Sequence, residues 1–117
     1  MPSIVVGIDG SPASVRALHW AVEEARDQLR EEYGIDTSYL RLRAYPFPPS
    51  VEEFIRKHER VYVVEQNRDA QMLSLLRIDI DAASVVRLRS VLHYNGLPID
   101  ARSITDSITV QEKVGKA

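Results

Sequence analysis

Cysteine is absent from all 117 residues. That excludes disulfides, a cysteine nucleophile, a zinc ribbon and a cysteine-ligated iron–sulfur cluster together, and it fits a reducing cytoplasm. No apolar run approaches the roughly 20 residues that a membrane-spanning helix needs. The N-terminus also lacks the basic-then-apolar pattern of a secretion signal. An excess of charge of one sign is missing too: the net charge is −2, with acids and bases interspersed, so neither nucleic acid nor an anionic membrane is expected as a partner. Aromatic residues are scarce, at 7%, with a single tryptophan at Trp20. What remains is ordinary globular composition, 44% hydrophobic and 27% charged, long enough for one compact core. No linker or internal repeat interrupts residues 1–117, so they read as a single α/β domain.

Ser3-Ile4-Val5-Val6 is a short apolar run ending in Gly7, the form of a strand buried on both faces. In the GIDGSP stretch that follows, Ser11 is placed to cap a helix and Pro12 to be its first residue. Val15, Leu18, Val22, Ala25 and Leu29 then recur at 3-4-3-4 spacing, one apolar stripe that Gly34 closes. Residues 37–43 alternate with period two, as in an edge or half-buried strand. AYPFPPS, with three prolines in four positions, breaks regular structure, and Ser50 is expected to cap a short helix over 51–58. Arg60-Val61-Tyr62-Val63-Val64-Glu65 is the strongest strand in the chain. The pattern predicts a helix over 69–78 with Met72, Leu75 and Leu76 on one side, and a last strand over 90–94 stopped by Asn95-Gly96 and Pro98. Residues 84–88 fit neither class. A final helix over about 101–114 is expected to turn Ile104, Ile108 and Val114 inward. Strands alternating with helices imply a three-layer α/β/α domain around a mainly parallel sheet of about four strands.

Two families resemble different parts of the chain. IVVGIDGSPASVRALHWAVEEAR, within residues 1–26, resembles the first strand and helix of universal stress proteins, whose opening strand ends in a GxDGS-type turn. DQLREEYGIDTSYLRLRAYPFPPSVEEF, RVYVVEQNRDAQ and LRSVLHYNGLPIDAR, within residues 27–117, resemble the C-terminal domain of the α subunit of 2-oxoacid:ferredoxin oxidoreductases, especially the 2-oxoglutarate type. That domain is of the transketolase C-terminal-like class. Together the resemblances imply a chimera, natural or engineered and more simply engineered, joined near residues 25–27 without breaking the apolar stripe. The expectation is a folded, non-catalytic chain. Two alternatives stand beside it. One is a natural subunit fragment that acts only with a thiamine-binding β subunit and iron–sulfur partners. The other is a small ATP-binding module of stress-protein type. The family topology implies a flavodoxin-like strand order 2-1-3-4.

That order places a crevice at the switch point between the ends of the first and third strands, with Asp9, Gly10 and Ser11 beside Glu65 and Asn67. These five are the candidate cofactor-binding residues. Amides at a helix start can hold a phosphate, and in the stress-protein family the acid matching Asp9 lines an ATP pocket. The family's phosphate grip, however, is a separate glycine-rich motif near its third strand, where this chain reads EQNRDAQ without glycine. GIDGSP therefore reads first as a strand-to-helix turn, and no bound cofactor is expected. In the second loop, Asn67 or Asp69 is expected to cap the next helix, while Glu65 and Arg68 pair with neighbours or face water. His19, His58 and His93 lie on separate elements without paired spacing, so no metal is expected. No Walker loop, G-x-S-x-G elbow, dinucleotide fingerprint or thiamine GDG…N segment is present, and no catalytic residue is assigned. Trp20 is expected at the edge of the stripe, and Tyr45 and Phe47 either over the sheet or exposed. Apolar surface uncovered by loss of a parent assembly would pair two copies of the chain as a homodimer.

Overall fold

A strand of alternating β-branched residues buries both its faces only when strands flank it and helices cover it, and Arg60–Glu65 is such a strand. In a computed structural model it forms β3 of a four-stranded parallel sheet ordered β2-β1-β3-β4. The other strands are β1 (Pro2–Gly7), β2 (Ser38–Leu42) and β4 (Leu88–Leu92). The helices are α1 (Pro12–Tyr33), α2 (Pro49–Arg56), α3 (Gln71–Asp79), the one-turn α4 (Ala82–Val85) and α5 (Ala101–Glu112). The structure describes residues 2–7, 12–42, 47–66, 70–93 and 99–113, and over 2–7 and 12–15 it describes the backbone course only. The expected strand order is the one observed.

Side chains alternate across β3 and divide the core in two. Tyr62 and Val64 turn toward α1 and α5, where they meet Leu18, Val22, Leu29, Ile104 and Ile108. Val61 and Val63 turn the other way, toward Val51 and Ile55 of α2 and Leu73 and Leu76 of α3. Helices on both faces of the sheet make the three layers that the sequence predicts. The α1 stripe is buried as expected at Leu18, Val22, Ala25 and Leu29, and Ala21 joins it on a helix that packs against α5. Gly34 ends α1 at φ 69°, and its N–H donates to Arg30 O at 3.1 Å.

Four element readings shift. The helix expected from a Ser50 cap starts earlier: Pro48 is the N-cap and Pro49 the first helical residue, a position where proline loses no hydrogen bond. On α3 the buried residues are Leu73 and Leu76, while Met72 and Leu75 are half-buried. The 84–88 stretch resolves into α4 and the start of β4, with Asp81 capping α4 by accepting from Ser84 N–H at 2.8 Å. The last strand lies two residues earlier than predicted, because pairing to β3 sets its register, Val61 opposite Leu88 and Glu65 opposite Leu92. α5 buries Ile104 and Ile108 as expected, each followed by a buried threonine, Thr105 and Thr109; Val114 lies outside the described residues.

Candidate functional site

The chain order switches between β1 and β3, so their adjacent C-terminal ends, Gly7 and Glu65, bound the crevice where open α/β sheets take ligands. Of the five predicted site residues, Asp9, Gly10, Ser11 and Asn67 lie outside the described residues. Glu65 is described, and it pairs with neighbours inside the fold. It is 2% exposed, and its side chain turns to the start of α3. There Oε1 accepts the Met72 N–H at 2.6 Å and Oε2 accepts the Leu73 N–H at 3.2 Å. The main-chain carbonyl of Glu65 accepts from His93 N–H at 2.9 Å, so one residue ties β3 to both α3 and β4.

A helix start presents N–H groups without partners inside the helix, together with partial positive charge. On α3 that anion position is filled by the protein's own carboxylate. The N-cap residue itself is Ala70, at φ 51°, ψ 51°, and it offers no side-chain acceptor. Asn67 and Asp69, expected to cap this helix, lie outside the described residues; Glu65 reaches the start of α3 from seven residues before its first partner. Local capping rules look three residues ahead, so they miss it. The one available signal was an acid ending the most buried strand, where an unpaired charge would be costly.

The histidines do not converge. His19 is half-buried on α1, its ring stacked on Tyr39 at 5.6 Å, with Nδ1 3.1 Å from the Tyr39 hydroxyl. Burial pushes the Tyr39 phenol up to about 12, against the nearby charge of Arg41, so it stays protonated at neutral pH. His58 is buried, with Nδ1 2.8 Å from Phe54 O. His93 follows β4. Among the described residues no group of three or more acids, histidines or cysteines is placed to hold a metal ion. Trp20 is 66% exposed. Phe47 packs against the α2/α3 half of the core, and Tyr45 lies outside the described residues.

A cleft of about 550 Å³ lies along α2, lined by Phe47, Val51, Glu52, Arg56, Asp79 and Ile80. Arg56 is engaged by Glu52 at 2.6 Å and by Asp81 at 2.9 Å, and the cleft lining contains none of the predicted site residues. A further polar cluster lies at the opposite, N-terminal end of β3. Glu112 receives hydrogen bonds from the Arg60 guanidinium and the Tyr62 hydroxyl, one of them from Arg60 Nη2 at 2.7 Å. Burial pushes the Glu112 carboxyl up, but those two donors outweigh it and hold the group below the usual carboxylate range. Burial and the same contact push the Tyr62 phenol up, and the hydrogen bond to Glu112 raises Arg60. This cluster locks a helix end to the sheet; it contains no group placed to take up a proton near neutrality.

Among the described residues no helix is long and apolar enough to cross a membrane. The model of the universal stress protein family matches residues 1–89. The match passes through residues 25–27 without interruption, so the likeness extends well beyond the strand-helix unit over which the sequence resemblance was drawn. No curated protein and no solved structure matches the chain. Nothing in the comparisons supports the oxidoreductase resemblance of residues 27–117 or a junction within α1.

Proposed function

Because the chain belongs to the universal stress protein family, we propose that it is a non-catalytic module of that family whose third-strand loop does not grip phosphate. The observation that carries this reading is the seat of Glu65. A phosphate at the start of α3 would meet a buried carboxylate already holding the Met72 and Leu73 amides. Like charges at that distance repel strongly in a site shielded from water. The absence of glycine from EQNRDAQ points the same way, since close approach of backbone to phosphate favours glycine.

A second reading rests on the switch-point placement. In it the crevice holds ATP from the α1 side through Asp9, Gly10 and Ser11, with Glu65 and Asn67 opposite. A chimera with an oxidoreductase segment is a third, supported only by the resemblance of DQLREEYGIDTSYLRLRAYPFPPSVEEF, RVYVVEQNRDAQ and LRSVLHYNGLPIDAR, of which the last lies mostly beyond the matched span. Calorimetric titration of ATP, with and without magnesium, separates the first two. The first predicts no heat of binding at millimolar nucleotide. Saturable binding would establish the second.

A further inference from the structure

The cleft along α2 shares no residue with the switch-point crevice, and two kinds of surface meet in it. Its apolar lining is Phe47, Val51 and Ile80, which also belong to the α2/α3 half of the core. Its charged lining is Glu52, Glu53, Asp79 and Arg56. At about 550 Å³ the cleft is of a size that takes a ligand or a few side chains rather than a folded surface.

The charges in this lining are unequally matched. Arg56 is held between two carboxylates, Glu52 at 2.6 Å and Asp81 at 2.9 Å, so it offers no free cation. Glu53 reaches Lys57 only at 3.9 Å, with both side chains 69% exposed, and such a pair is weak in water. Among the described residues the Asp79 side chain makes no hydrogen bond or ion pair. It stands in the last turn of α3, where the helix end adds partial negative charge of its own. Arg77 shares that turn, but residues two apart on a helix do not face each other. Glu53 and Asp79 are therefore poorly compensated acids beside apolar surface.

We propose that the α2 cleft docks an extended segment of a partner protein in which an aliphatic side chain neighbours a lysine or arginine. The aliphatic side chain lies against Phe47, Val51 and Ile80, and removal of its surface from water supplies affinity. The basic side chain meets Asp79 and Glu53, which fixes orientation and rejects acidic segments.

The probe is a capped, fluorescein-labelled pentapeptide alternating lysine and leucine, titrated into the full chain and followed by anisotropy and by ¹⁵N amide shifts. The expected result is saturable binding that shifts the Glu53, Asp79 and Ile80 amides and weakens as salt rises. Glu53→Gln/Asp79→Asn alters only exposed side chains and should weaken binding about tenfold or more. Glu24→Gln/Glu31→Gln removes the same charge from exposed positions of α1, on the other face of the sheet, and should bind as wild type. A peptide with glycine in place of leucine should bind about tenfold more weakly, because it has no apolar side chain to bury. If the double variant fails to fold, Asp79→Asn alone carries the test, since that side chain has no bond to break. The proposal is overturned if the peptide shows no saturable binding at millimolar concentration, or if the cleft variant binds as tightly as wild type. It is equally overturned if the α1 variant loses as much as the cleft variant, or if the glycine peptide binds as well as the leucine one.

Discussion

Glu65 is a buried acid and Glu112 a half-buried one, and opposite ends of β3 give them different tasks. Glu65 completes the start of α3, so Glu65→Ala removes the acceptor for two backbone donors at once. Leaving a buried donor unpaired costs about 1–3 kcal/mol, so the variant should unfold at clearly lower denaturant with an unchanged slope. Glu112 makes a different prediction, because its carboxyl is held low in the fold. A depressed carboxyl stabilises the fold above the ordinary glutamate value of about 4.3 and loses that contribution as pH falls through the folded value. Glu112→Gln should therefore cost about 1–3 kcal/mol at pH 7, in the range of hydrogen bonds to charged groups. The gap from wild type should close on acidification below about pH 4, measured by urea unfolding at a series of pH values. Neither role was legible in the sequence. Glu65 reads there as a loop acid, and Glu112 drew no assignment, because their partners lie in other elements: Met72 and Leu73 on α3 for the first, Arg60 and Tyr62 on β3 for the second.

At the scale of elements, periodicity carried what it could. The α1 stripe and β3 were legible because each has an unambiguous period and one consistent way to be buried. α3 was not, since Met72, Leu75 and Leu76 make as good a stripe as Leu73 and Leu76 until Glu65 fixes how the first turn faces the sheet. β4 shifted because a strand's register belongs to its partner as much as to itself. Two substitutions test the observed faces. Leu76→Ala opens a cavity in the α2/α3 half of the core and should cost about 2–5 kcal/mol in unfolding free energy, whereas Leu75→Ala should cost much less. Asp100 holds the start of α5, accepting Ser103 N–H at 2.7 Å, and that bond keeps its carboxyl below the usual range. Asp100→Ala should cost about 1 kcal/mol, the ordinary loss of an N-cap, read from thermal or urea unfolding.

Across the whole molecule, the three layers and the order β2-β1-β3-β4 are those the sequence expects, with the switch point between β1 and β3. The family match also carries the stress-protein likeness through α1 and on to residue 89, where the sequence resemblance divided the chain. Short motifs carry little at this scale: RVYVVE forms a buried strand with α3 the next helix in the chain, and such a unit recurs in many parallel sheets. The same unit, with an acid in place of a phosphate at the helix start, is the basis for reading the chain as a module without a nucleotide grip. The most direct test follows the Met72 and Leu73 amide resonances of the ¹⁵N-labelled protein as magnesium-ATP is added to several millimolar. With Glu65 seated on α3, the two resonances should stay where they are. A saturable shift of both, with the nucleotide bound, would contradict the account.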